Sequence, residues 1–189
     1  MSVWLEPTHD ILLDAKLSDA AYSRVSEVDG WQQDMEFAHT HNQEHMVFHK
    51  HGKARVVFRG TDFTNAEDVG ADVMLSLGVH DNSNRFKRAV RTTEKVIQKY
   101  GRENTQTTGH SLGAGLAAHA ARRHGIKSVG FATPLSVFNR RTYSNHLNVS
   151  NPYDPIAWVG RRTKGIGKQM DYHWAKSHPH SMSNVIPGA

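Results

Sequence analysis

Thr107-Thr108-Gly109-His110-Ser111-Leu112-Gly113-Ala114-Gly115-Leu116 is the stretch from which the rest of the chain can be read. It has the form of a strand end, a sharp turn carrying one serine, and the start of a helix rich in Gly and Ala. Gly109-His110-Ser111-Leu112-Gly113 fits the G-x-S-x-G elbow, in which a strained strand-to-helix turn presents a hydroxyl at the top of a sheet. A turn that tight needs neighbours without Cβ, both for the backbone angles and so that strand and helix can approach. A helix starting there also aims N–H groups and its positive dipole end at the place where acyl transfer develops negative charge.

Working outward, residues 54–58 (Ala-Arg-Val-Val-Phe) are a short run suited to a buried strand. It ends in Arg59-Gly60-Thr61-Asp62, a loop leaving the carboxyl end of a central strand, where α/β sheets place their ligands. Residues 6–22 predict an amphipathic helix lying on the sheet, Asp29-Gly30 a turn, and 35–40 and 45–50 two strands of a meander. A short helix is expected over 65–77. Phe86, Val90, Thr93, Ile97 and Tyr100 repeat at helical spacing up to Gly101, a C-cap glycine. After the elbow, a helix over 111–124 closes at Gly125, 128–132 reads as a strand stopped by Pro134, and 147–150 as a later strand. This alternation argues for an α/β fold with a mostly parallel central sheet flanked by helices and joined by right-handed crossovers. With 189 residues and 38% hydrophobic content, the chain supplies one core comfortably and two poorly, so a single domain over 1–189 is expected.

Serine is a weak nucleophile until a base takes its proton, and that base works best when a carboxylate fixes its tautomer. In this architecture the order along the chain is Ser, then acid, then His. After Ser111 the acids are Asp154 and Asp171. Asp154 follows directly on an expected strand and sits between Pro152 and Pro155, whereas Asp171 lies in a polar tail with no obvious strand before it, so Asp154 is the candidate acid. Three histidines lie downstream of it: His180 is favoured as the base, ahead of His178 and then His173. An oxyanion hole needs two donors. The backbone N–H of Leu112 is the first, and Thr61 is well placed to supply the second. His39 with His41, or His49 with His51, would share a strand face and could grip a metal, but no further ligand accompanies either pair at a recognised spacing. No metal or cofactor is expected.

The formal charge of +5 hides an asymmetry: up to Glu36 there are eight acids and two bases, and from Asn82 onward seventeen Lys and Arg against four acids. Such a basic body favours polyanions, with anionic lipid headgroups or nucleic acid as the usual candidates. The chain has no cysteine, which excludes disulfides, thiolate metal sites and a cysteine nucleophile, and which fits a reducing compartment. The first twenty residues carry four acids and do not resemble a signal peptide, and no transmembrane run is seen, so a cytoplasmic location is expected.

Taken together, Val57-Phe58-Arg59-Gly60-Thr61, Asp72 within Gly-Ala-Asp-Val, Thr108 to Ala117, Phe131-Ala132-Thr133-Pro134, Asn148 to Pro155 and His180-Ser-Met resemble the class 3 lipases. The resemblance spans roughly residues 15 to 185. It implies a compact α/β-hydrolase fold and hydrolysis of carboxylic esters of lipids through an acyl-enzyme. It likewise implies Ser111 as nucleophile, Asp154 as acid, His180 as base, and Thr61 with Leu112 as the oxyanion hole. Where relatives acting on triglyceride carry an apolar lid, residues 62–77 are short and half acidic, so a small esterase, or a phospholipase acting on anionic membranes, fits better. The expected partners are a lipid or small ester and an anionic membrane surface, with nucleic acid disfavoured. The alternative is a non-catalytic protein of hydrolase shape whose basic face holds nucleic acid or another polyanion; retention on duplex nucleic acid at rising salt separates the two.

Overall fold

An antiparallel meander leads into a run of parallel strands, and the change of direction comes at the strand that precedes Arg59-Gly60. The computed structural model describes residues 8–38, 44–60, 84–134, 144–151, 153–154, 168–171, 182 and 186. Within them lie strands β1 (Glu27–Val28), β2 (Trp31–Gln33), β3 (His45–Lys50), β4 (Lys53–Phe58), β5 (Thr105–His110), β6 (Lys127–Phe131), β7 (His146–Ser150) and β8 (Lys168–Asp171). They form one eight-stranded sheet in sequence order. β1 to β4 pair antiparallel and β4 to β8 pair parallel.

Three α-helices cover this sheet among the described residues: α1 (His9–Ser23), α2 (Asn84–Tyr100) and α3 (Leu112–His124). Thr8 caps α1 through its hydroxyl, and Arg24 ends it in the left-handed region. Gly125 closes α3 in the same way, beside Arg122, Arg123 and His124, whose positive character suits the negative end of the dipole. Side-chain alternation along the strands feeds two opposite cores. Ala54, Val56 and Phe58 of β4 meet Phe86, Ala89 and Val96 of α2 and Leu116, Ala117 and Ala120 of α3. On the other face Val57 joins Leu13, Leu17, Ala20 and Ala21 of α1, while Val129, Phe131 and Val149 join Ile11, Ala15 and Met182.

Helix α1 buries polar groups as well as apolar ones, because it runs alongside β5 in the same direction. Gln106 donates to Asp14 at 2.6 Å, Ser18 meets Thr108 at 3.3 Å, and Tyr22 meets His110 at 3.3 Å. Every fourth helix residue pairs with every second strand residue. Four helical residues rise about 6 Å and two strand residues about 6.6 Å, so the two spacings stay in step over three rungs. The helix is therefore docked by a polar ladder inside an otherwise apolar contact, a feature that its hydrophobic spacing does not reveal.

Several expectations need correction. The second strand of the meander lies at Trp31–Gln33, and Met35–Phe37 is a 3-10 turn, where a strand over 35–40 was expected. The cause is Asp34: its carboxylate accepts the N–H of Glu36 at 3.1 Å, which bends the chain out of the ladder. The tail preceding Asp171 is a strand, β8, which polar composition concealed. On α2 the fully buried positions are Phe86, Ala89, Thr92, Thr93 and Val96, while Val90, Ile97 and Tyr100 are half-buried, because the helix packs against both β4 and the Ala-rich face of α3. The helix expected over 65–77 lies outside the described residues. Asp29-Gly30 does form the β1–β2 turn, with both residues at positive φ.

Candidate active site

Ser111 joins β5 to α3 with φ 54° and ψ −130°, a conformation that an L-residue adopts only under restraint. The restraints are visible on both sides. Ser111 N–H donates to the Phe131 carbonyl of β6 at 2.9 Å, and its own carbonyl accepts from Ala114 at 2.9 Å and Gly115 at 3.3 Å. The hydroxyl takes no part in capping the helix. Ser111 is nearly buried, at 4% exposure. A Cβ on Gly109 would lie 2.6 Å from the Phe58 carbonyl oxygen, and one on Gly113 would overlap the same carbonyl. These glycines let β4, β5 and α3 converge beneath the serine. The N-terminal turn of α3, beginning at Leu112, faces the same point.

The strand end beside the elbow is equally close. A Cβ on Gly60 would lie 3.0 Å from the His110 carbonyl oxygen and 3.4 Å from Ser111 Cβ. Gly60 N–H donates to the Tyr22 hydroxyl at 3.1 Å, and that hydroxyl meets His110 Nδ1 at 3.3 Å. Burial pushes the Tyr22 phenol up to about 12, so it keeps its proton at any working pH. The Arg59 guanidinium stands 5.6 Å over the Tyr22 ring, and Arg85 Nη2 donates to the Arg59 carbonyl at 2.9 Å. Burial draws the Arg85 guanidinium downward, with Glu44 opposing.

Asp154 lies just past the carboxyl end of β7, two strands from β5, and is wholly withdrawn from solvent. Its N–H donates to the Asn151 carbonyl at 3.0 Å, while the Asn151 side chain accepts from Tyr153 N–H at 2.9 Å. These two bonds make an Asx-type turn that fixes the loop. Behind it runs a second buried chain of contacts: Asn148 Oδ1 accepts from Thr133 N–H at 3.0 Å, Thr133 Oγ1 meets His146 Nε2 at 3.0 Å, and His146 Nδ1 meets Ser128 Oγ at 2.9 Å. Burial lowers the His146 pKa to about 3, which makes it a neutral imidazole able to donate on one side and accept on the other. The network ties the turn after β6 to β7, and so sets the base on which the Asp154 loop stands.

Of the expected site residues, Ser111, Leu112 and Asp154 therefore fall at the carboxyl edge of the parallel strands. Thr61 and His180, with His178 and His173, lie outside the described residues. Met182, two positions after His180 in sequence, packs with Val129, Phe131 and Val149 on the α1 face. Sequence reasoning gave Tyr22 no role beyond ending a helix, and missed His146 altogether; a polar residue at every fourth position of α1 was the available signal for Tyr22. The His49 and His51 pair does not share a strand face. His49 stacks on Tyr100 at 6.0 Å, while His51 sits at φ 48° in the two-residue turn after β3, where Lys50 and Lys53 close the hairpin. Among the described residues no three His, Asp or Glu side chains gather as they would around a metal ion, and His39 and His41 lie outside them. No described helix is long and apolar enough to cross a membrane.

Comparison with known proteins follows the same lines. The chain is similar in structure to Lip2 lipase from Yarrowia lipolytica, with a TM-score of 0.55 at 17% identity over 97% of this chain and 84% of Lip2. A mutant of MDLA from Penicillium cyclopium aligns with a TM-score of 0.49 at 16% identity, over 92% of this chain and 80% of that one. No curated protein sequence matches. The likeness to Lip2 identifies the fold as that of the α/β-hydrolase lipases. The family model described as the Tle-like phospholipase domain matches residues 13–145, which include β4, the elbow and β6, and the chain belongs to that lipase-like family.

Proposed function

We propose that the protein is a serine hydrolase of carboxylic esters in lipids, with Ser111 as nucleophile, His180 as base and Asp154 as the acid that orients it. The observation that carries this reading is the backbone of Ser111, held at φ 54° between β5 and α3 with its hydroxyl unused as a cap. Strain of that kind is retained where the surroundings fix it, and here they fix a hydroxyl over the helix N-terminus. The family match and the buried carboxylate at the β7 end support it.

The chemistry then runs in two halves. Ser111 Oγ attacks the ester carbonyl carbon as the imidazole of His180 takes its proton, and Asp154 supports the resulting imidazolium. The Leu112 N–H and Thr61 hold the tetrahedral oxyanion. Collapse expels the alcohol, which leaves with the proton from the imidazolium, and an acyl group stays on Ser111. Water, deprotonated by the same imidazole, attacks the acyl carbon and releases the acid. No metal or cofactor enters the balance.

Purified protein is expected to release nitrophenol from short and medium acyl esters and to take a fluorophosphonate probe on Ser111. Ser111→Ala should abolish both, and an active Ser111→Ala protein would refute the mechanism. The family's phospholipase character, together with seventeen bases against four acids from residue 82 on, supports an anionic membrane as the substrate surface. Liposome sedimentation tests that part: equal binding to neutral and anionic vesicles would remove it.

A further inference from the structure

We infer that Tyr22 is a positioning residue for the oxyanion hole, its hydroxyl pinning the Gly60 strand end to His110 so that the two arms of the hole keep one spacing. This rests on the hydrolase reading above and concerns how its transition state is held.

The two donors assigned to the oxyanion come from separate elements. One is the Leu112 N–H, which follows His110 and Ser111 directly. The other belongs to Thr61, which follows Gly60 directly. Their separation therefore depends on how β4 and β5 are locked together at their carboxyl ends, beyond the last ladder pair of Phe58 with Gly109. At that point a third element intervenes. Tyr22, on the last rung of the α1 ladder, accepts from Gly60 N–H at 3.1 Å and stands 3.3 Å from His110 Nδ1. A phenol has one proton to donate and lone pairs to accept with, so accepting from Gly60 leaves its O–H for the imidazole nitrogen. One hydroxyl thus bridges Gly60, the residue before one donor, and His110, two residues before the other.

The ring is held as firmly as its hydroxyl. Arg59 covers one side at 5.6 Å, and the His110 ring meets it edge-on with centroids 5.9 Å apart. The anchoring runs back through α1 to Ser18 and Asp14. The His110 nitrogen facing the phenol takes no part in the proton transfers proposed for the triad. The bridge acts through geometry alone, and geometry is what an oxyanion hole requires: a misplacement of about 1 Å can lower a rate by about two orders of magnitude.

The experiment compares Tyr22→Phe with wild type on a nitrophenyl ester, reading kcat and KM separately, Tm, and the rate of Ser111 labelling by a fluorophosphonate. Tyr22→Phe keeps the ring contacts and loses the bridge. The expected result is a kcat at least about tenfold lower, a labelling rate lowered to match, and KM and Tm close to wild type. Ser18→Ala, which loosens the same helix one rung lower, should lower Tm at least as much as Tyr22→Phe does and keep its kcat. A Tyr22→Phe kcat within twofold of wild type, a change confined to KM, or an equal kcat loss in Ser18→Ala would overturn the assignment. Failure of the hydrolase reading looks different: wild type itself would neither turn over ester nor label at Ser111, and the positioning role of Tyr22 would fall with it.

Discussion

Among the described residues two aspartates are completely withdrawn from solvent, and they stand at opposite edges of the sheet. Asp14 sits on α1 against the amino ends of β4 and β5, accepting Arg55 Nε at 3.0 Å and Gln106 at 2.6 Å. Asp154 sits beyond the carboxyl end of β7 in a loop shaped by Asn151. A buried carboxylate is costly anywhere, so burial alone says nothing of chemistry. What separates the two is the end of the sheet. Asp14 is matched by a cation and an amide within the fold, whereas Asp154 lies on the edge where the serine emerges.

The comparison breaks most visibly in rate. Asp154→Asn keeps the shape of the side chain and removes its charge, and its kcat should fall by about 10⁴-fold with Tm near wild type. If the ester hydrolysis of Asp154→Asn stays within tenfold of wild type, Asp171, which ends β8, becomes the acid to test. Asp14→Ala should do the reverse. It leaves Arg55, 8% exposed, buried without its carboxylate, and removing one partner of such a pair lowers stability by about 3–5 kcal/mol. Urea unfolding reads this directly, while kcat per folded molecule should be unchanged. Replacing both partners, as in Asp14→Leu with Arg55→Met, should restore most of the loss.

This contrast also marks what could be read without coordinates. The elbow, its strand, the following helix and the place of Asp154 were legible because each depends on local rules: glycine where strand meets helix, an acid directly after a strand, a Gly C-cap. Asp14 was not. In the sequence it is one acid among several on an amphipathic helix, and its burial follows from Arg55 and Gln106, respectively 41 and 92 residues away. Strand β8 was hidden for a related reason: it pairs through its backbone with β7, and polar side chains carry no record of that. Tyr22 and His146 belong with Asp14, since each owes its role to partners on other elements.

The pH dependence of stability sharpens the contrast between charged and neutral burial. Burial raises Asp14 from 3.8 to about 7 despite the Arg55 charge, so the folded protein holds that proton more tightly than the unfolded chain. Its contribution is complete below pH 3.8 and is lost as pH rises through 7. His146 is lowered from 6.5 to about 3, so its contribution is complete above pH 6.5 and is lost as pH falls toward 3. Each slope is at most about 1.4 kcal/mol per pH unit, and between about pH 4 and 6.5 they oppose each other. Wild type should therefore show a shallow profile across that window. Asp14→Asn should lose stability on acidification, and His146→Gln should lose it as pH rises. Parallel profiles for the two variants, measured as urea midpoints, would mean that these groups do not carry the dependence.

The smallest changes test the comparison most finely. Ser18→Ala removes a hydroxyl that donates to the Asp14 carbonyl at 2.8 Å and meets Thr108 at 3.3 Å, and Asn151→Ala removes one acceptor beside Asp154. Each such bond is worth about 1 kcal/mol. For Asn151 the loss should be the smaller, because its buried Nδ2 has no hydrogen-bond partner among the described residues and the backbone bond from Asp154 to the Asn151 carbonyl survives. Ser18→Ala should thus show the larger loss of Tm. In turnover the order should reverse: Ser18→Ala at the wild-type kcat, Asn151→Ala several-fold below it, because the turn no longer fixes the direction of the carboxylate proposed to orient the base. Equal kcat values in the two would place the Asp154 loop, like the Asp14 ladder, among the parts that hold the fold and leave the reaction alone.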